Sequence, residues 1–152
     1  MTAITIDLQV AAEADKNAIP KKTAIKRWIS AAIPEAKRPA EICIRVVGGE
    51  ESQALNLQYR GKDKPTNVLS FPCELPPGVT LPMLGDLVIC EPVVNREAKE
   101  QGKTPEAHWA HMVIHGTLHL LGYDHQREDE ARTMESLETD LLTQLDYPAP
   151  YE

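Results

Sequence analysis

The sequence predicts an α+β or α/β fold, with a small β-sheet of about four strands packed on helices. Three observations carry this. Strand-like and helix-like patterns alternate up to Pro92, helical patterns fill the rest, and glycines and prolines separate the pieces. A length of 152 residues predicts one domain, spanning 1–152.

Ile4, Ile6, Leu8 and Val10 alternate with polar residues and predict an opening strand. From Pro20 to Ile33, the residues Ile25, Trp28, Ile29 and Ala32 form one apolar stripe of an amphipathic helix. Glu41 to Gly48 reads as a second strand, and Glu50 to Arg60 as a short helix stopped by Gly61. Asn67–Pro72 and Leu84–Pro92 read as two strands joined by a proline-rich loop, a pairing suited to an antiparallel hairpin. A helix follows from about Val93 to Gln101. The next starts at Thr104 as N-cap, with Pro105 and Glu106 in its first turn. The last helix, Arg127 to Leu145, opens with Glu128, Asp129 and Glu130 at its positive end. Its predicted core stripe is Ala131, Met134, Leu137, Leu141 and Leu145.

Net charge is −7, which argues against generic polyanion binding by the whole surface. The charge is uneven, however. Lys16 to Arg38 holds seven basic residues against one acidic, and Gln126 to Glu152 holds two basic against eight acidic. These segments read either as a local field for a polyanion or as two solvated helix faces. Cys43, Cys73 and Cys90 are odd in number and form no CxxC; Cys43 and Cys90 read as small core residues. With no signal-like or membrane-length apolar run, the expected location is the cytoplasm.

The chemistry concentrates in HGTLHLLGYDH, His115 to His125. His115 and His119 are four apart on the Thr104 helix, so their imidazoles face the same way. Gly122 ends that helix and turns the chain so that His125 comes back toward them. Three convergent imidazoles suit Zn²⁺, and three protein ligands leave the open position of a catalytic site. His108 and His111 share the helix face but lie too far along it for the same metal. They read as supporting, cleft-lining or packed residues. The spacing also fits H-E-x-x-H-x-x-G-x-x-H, the metzincin pattern. Gly116 stands where that pattern needs its general-base glutamate, so the scaffold reads as zincin-like and the peptidase chemistry as absent.

With HGTLHLLGYDH, the stretches YRGKDKPTNVLSFP (Tyr59–Pro72) and GDLVI (Gly85–Ile89) complete a pattern. The chain resembles the YbeY family of bacterial metal-dependent endoribonucleases, also called rRNA maturation factors, from about Ile4 to Leu145. The resemblance implies a zincin-like α+β fold with a small mixed sheet, a central metal helix and one Zn²⁺ on His115, His119 and His125. It implies a functionally important arginine at Arg60. It also implies single-strand-specific endoribonuclease activity in maturing the 3′ end of small-subunit (16S) rRNA and in late-stage ribosome quality control. The implied partners are precursor rRNA and ribosomal particles, small-subunit ribosomal proteins and the Era GTPase, with no membrane.

RNA hydrolysis suits these residues. Zinc lowers the pKa of water and polarises a phosphoryl oxygen, and a guanidinium can stabilise charge growing on phosphate. Arg60 and His115 are thus the expected catalytic residues. On residues alone Arg60 reads as a cap of its own helix; the resemblance turns it toward phosphate. Lys62 and Lys64 read as backbone contacts or as solvated loop lysines. Asp124 reads as a support for His125, a proton carrier or a cap, and Asp86 as structural. Aromatics make up only 5% of the chain, so selectivity is expected from docking on a ribosomal particle. Three readings compete: a zinc endoribonuclease, a metallopeptidase disfavoured by Gly116, and a non-catalytic assembly factor with structural zinc.

Overall fold

The computed structural model describes residues 4–79, 82–124 and 126–151. In chain order its main elements are β1 (Ile4–Val10), α1 (Lys22–Ala32), β2 (Ala40–Val47), α2 (Gly49–Arg60) and β3 (Val68–Pro72). There follow β4 (Met83–Cys90), α3 (Glu91–Glu100), α4 (Pro105–Leu120) and α5 (Glu128–Gln144). The sheet has four strands in the order β1-β2-β4-β3. β1 runs parallel to β2 and β2 to β4, while β3 is antiparallel to β4 and forms an edge. The expected mixed sheet and the β3–β4 pairing are both present.

The two faces of the sheet differ. Ile4, Ile6, Ile42, Ile44, Val46, Leu87 and Ile89 point inward and are buried with residues of α1 and α4. The predicted α1 stripe, Ile25, Trp28, Ile29 and Ala32, is buried there as well. α4 is apolar nearly all round, from Ala107 through Trp109, Met112, Val113 and Ile114 to Leu118, which makes it the central helix. The outer face holds a smaller cluster of Val47, Leu69, Val88, Cys90 and Val93, with Leu55 of α2 and Phe71 of β3 packed against it.

Three expectations need correction. β4 ends at Cys90, not Pro92, because Pro92 belongs to the first turn of α3, where its fixed φ suits a helix start. Cys43 is half-buried on the outer sheet face; β-alternation turns it away from Ile42 and Ile44. In α5 the fully buried positions are Met134, Glu138, Leu141 and Leu142, while Leu137 and Leu145 pack only at the margin and Ala131 is half-buried. No described helix is long and apolar enough to cross a membrane.

Candidate metal centre and cleft

α4 begins as the sequence dictates. Thr104 Oγ1 accepts a hydrogen bond from the Ala107 N–H at 3.2 Å, and Pro105 follows in the first turn. His108, His111, His115 and His119 then form a row along one side, with successive ring centroids 6.1, 6.2 and 4.7 Å apart. The row changes character along its length. His108 and His111 are buried, whereas His115 and His119 are half-buried and line an open cleft of about 740 Å³.

Gly122 ends the helix region with φ 104°, a conformation that side-chain-bearing residues rarely adopt. Its N–H donates to His119 O at 3.0 Å and the Tyr123 N–H to Leu118 O at 3.1 Å. After this stop, Tyr123, Asp124 and Gln126 all line the same cleft. His125, the expected third ligand, lies outside the described residues.

Behind His115 stands Glu138 of α5, its side chain buried. Glu138 Oε1 lies 3.2 Å from His115 Nδ1, 2.6 Å from His111 Nε2 and 2.9 Å from the Tyr151 hydroxyl that donates to it. Burial pushes the Glu138 carboxyl up, yet the hydrogen bonds from His111 and His115 outweigh it and hold the group at about 2. Tyr151 is pushed up by burial and by the adjacent Glu138 charge. Glu138 is therefore an anion that draws an N–H from each histidine. For His115 this selects the tautomer protonated at Nδ1, which makes Nε2 the nitrogen able to ligate.

His111, His115 and Glu138 bring ligand atoms within 4.8 Å of one another, a group that can hold a metal ion. The 2.6 Å His111–Glu138 contact is a hydrogen bond as it stands. Two ligands of a tetrahedral ion with bonds of about 2.0–2.1 Å sit about 3.3 Å apart, so this pair would have to separate to admit an ion. The cleft-facing imidazoles of His115 and His119 are adjacent, with ring centroids 4.7 Å apart, and His115 is held from behind by the Glu138 carboxylate. His108 Nε2 is 2.9 Å from Glu97 Oε1 on α3, and Glu97 also accepts from the Asn67 amide at 3.2 Å. His108 is thus a packed supporting residue; His111 also lies off the cleft lining, but against expectation it is near enough to His115 to share a metal with it.

The opposite wall comes from α2 and the β3 edge. Arg60 is the last residue of α2, which stops at Gly61 in the left-handed region. Among the described residues, the exposed Arg60 guanidinium makes no hydrogen bond or ion pair, so it does not cap its own helix; it lines the cleft. The loop that follows is pinned from α2. Asn56 Nδ2 donates to Lys64 O at 2.8 Å, and Ser52 Oγ exchanges 3.0 Å hydrogen bonds with both Thr66 O and Thr66 N. This explains why Ser52 and Asn56 are buried polar residues. Lys62 and Lys64 are exposed and lie off the cleft lining. β3 lines the cleft from Val68 to Pro72 and is tied to α4 by Ser70 Oγ, which donates to Gly116 O at 3.2 Å. Asp86 faces away from the cleft, on the outer sheet face beside Cys43.

The structure thus brings Arg60, His115 and His119 to one cleft. Sequence reasoning missed Glu138, whose one signal was a carboxylate four residues after Met134 inside an apolar stripe. It also missed the aromatic lining, Tyr59, Phe71 and Tyr123.

A protein-family model described as Endoribonuclease YbeY matches residues 9–146. The chain is also similar to the solution structure of TM1509 from Thermotoga maritima. That protein is 24% identical, the match covers 97% of this chain and 99% of that one, and the TM-score is 0.53. That likeness concerns the fold.

Proposed function

The chain belongs to the YbeY endoribonuclease family, and from that premise we propose that it is a zinc-dependent, single-strand-specific endoribonuclease. Its proposed work is maturation of the 3′ end of small-subunit 16S rRNA and late-stage ribosome quality control, in the cytoplasm, with residues 1–152 acting as one domain. The proposed substrates are precursor rRNA and ribosomal particles, with small-subunit ribosomal proteins and the Era GTPase as partners. The observation that carries the reading is the meeting of Arg60 with His115 and His119 in one cleft, from helices far apart in the chain.

His115, His119 and His125 are the proposed ligands of one Zn²⁺. When bound, the metal supplies a Lewis acid and a lowered water pKa. The chain's own residues do the rest. Glu138 holds His115 in one tautomer and one orientation. Arg60 offers a planar fork of donors to phosphate oxygens, where negative charge grows as the phosphodiester is cut. The pinned 61–67 loop fixes the end of α2 and with it the root of the Arg60 side chain. A peptidase reading lacks its general base, because Gly116 is buried against Leu87 and Val68.

The test is cleavage of small-subunit precursor rRNA, free and within ribosomal particles. Wild type is compared with metal-stripped protein, His115→Ala and Arg60→Ala, each checked for its fold by circular dichroism. Loss of cutting on metal removal and in His115→Ala is expected, with a fall of about 10²–10³ in kcat/KM for Arg60→Ala. Undiminished cutting by every variant would indicate a contaminating nuclease, and the non-catalytic assembly factor would become the better reading.

A further inference from the structure

The chain has only seven aromatic residues, one Phe, two Trp and four Tyr. Trp28 and Trp109 are buried in the core, Tyr147 packs edge-on against Trp28, and Tyr151 hydrogen-bonds to Glu138. The remaining three, Tyr59, Phe71 and Tyr123, all line the cleft. Tyr59 is the residue before Arg60 and is 58% exposed, more than any other large apolar residue described. Its ring is not loose on the surface. It meets Phe71 edge to face, with centroids 5.0 Å apart and planes at 69°, and Phe71 is itself seated on the outer-face cluster.

This pair forms a shared wall. On its far side a second cavity of about 440 Å³ opens over the outer sheet face, and Tyr59 and Phe71 line both cavities. The second cavity is not built for phosphate. Its one cation among the described residues, Arg45, is committed to Glu51 through two hydrogen bonds of 2.6 and 2.9 Å, and Asp86 adds a further negative charge. Gln9, Asp86 and Glu51 offer acceptors to amino groups, above an apolar floor of Leu55 and Val88. That chemistry suits the edge and face of a nucleobase. The phosphates of the same strand belong on the other side of the wall, at Arg60.

We propose that Tyr59, braced by Phe71, is a stacking platform for an unpaired base next to the phosphate held at Arg60, and that the cavity on the outer sheet face receives the edge of that base. The proposal rests on the RNA reading of the cleft. Stacking on an aromatic face is tolerant of sequence, because every base has a π-face. It is intolerant of pairing, because a base inside a duplex cannot leave its neighbours to lie on Tyr59. The platform therefore accounts for single-strand specificity while leaving the choice of site to docking on a larger particle.

The experiment measures binding of a fluorescein-labelled single-stranded RNA to the full-length protein by anisotropy. A series of oligonucleotides carries an abasic nucleotide at each position in turn, and wild type is compared with Tyr59→Ala and Tyr59→Phe. The side chain is mostly solvent-exposed, so both variants are expected to fold; circular dichroism checks this. In wild type, one abasic position is expected to weaken binding by about 5- to 100-fold. Tyr59→Ala should weaken the intact oligonucleotide by a similar factor and make that abasic position neutral, while Tyr59→Phe retains the wild-type pattern. If the intact RNA binds and the abasic profile is the same in wild type and Tyr59→Ala, the platform is wrong and the RNA reading stands. If no single-stranded RNA binds at all, both fall.

Discussion

Glu138 Oε1 lies 3.2 Å from His115 Nδ1, with the carboxylate on the buried side of the ring and the cleft on the other. This contact joins the acidic α5 to the central helix and aims one proposed ligand. Replacing Glu138 by Gln keeps the volume but removes the charge and half of the acceptor capacity that serves His111, His115 and Tyr151. Glu138→Gln is expected to weaken zinc binding by about 10- to 100-fold. Competition with a chromophoric chelator measures it, and the visible spectrum of the Co²⁺ form reports the ligand geometry. Unchanged affinity and an unchanged Co²⁺ spectrum would mean that the orientation of His115 does not depend on Glu138.

His108 should make stability fall toward acid pH. Burial pushes its pKa below the usual imidazole value, opposed by Glu97 on α3, with His111 and Lys103 adding to the lowering. Its value in the unfolded chain is about 6.5, so as pH falls the unfolded state takes up the proton first. The contribution of His108 is thus intact above about 6.5 and is lost as pH falls from there through the lower folded value. One proton gives a slope of at most about 1.4 kcal/mol per pH unit. Denaturant midpoints from about pH 8 to pH 5 for wild type and His108→Gln check this. The variant, which cannot charge, should close its stability gap to wild type as pH falls; a gap constant across the range counts against the assignment.

What could be read in advance was whatever local rules control. The α1 stripe, the Thr104 cap and the left-handed stop at Gly122 each follow from residues within one or two turns. So does the pairing of His115 with His119 along one helix face. What stayed hidden depends on tertiary packing. Counting charges assigns Glu138 to solvent with the other acids of α5, and only the docking of that helix on α4 reveals its two histidine partners. Tyr59 and Phe71 lie on different elements, so neither pattern marks them as a pair. Composition recorded few aromatics without recording that three of the seven gather at one cleft.

Gly85 fixes how β3 lies against β4, and so the shape of one cleft wall. Its φ is 147°, and a Cβ there would come within 2.3 Å of Phe71 O, 2.9 Å of Leu120 Cδ2 and 3.0 Å of Pro72 Cα. Two of these atoms are backbone and cannot swing aside. Gly85→Ala is expected to cost about 3 kcal/mol or more, from strained backbone and displacement of the β3 edge together. Urea unfolding measures the loss. A change below about 1 kcal/mol would show that the edge strand yields easily and does not hold the wall in place.

Gly116 stands where the metzincin pattern has its general-base glutamate. A Cβ on Gly116 would meet Leu87 Cδ2 at 2.8 Å and Val68 Cγ2 at 3.2 Å, so this side of α4 is pressed against the sheet. Gly116→Ala adds one methyl group against the movable end of Leu87. The gain in helix propensity, about 1 kcal/mol, offsets part of the crowding, and the net change should stay within about 2 kcal/mol. Gly116→Glu is a different case. The chain would have to drive a carboxylate among Leu87 and Val68, both buried and apolar. A loss of about 3 kcal/mol or more is expected, with no cleavage of an unstructured protein substrate by zinc-loaded enzyme. A Gly116→Glu variant as stable as wild type that cut such a substrate would mean the new carboxylate reaches the cleft. The glycine would then be a catalytic deletion in a peptidase scaffold rather than a packing requirement of this one.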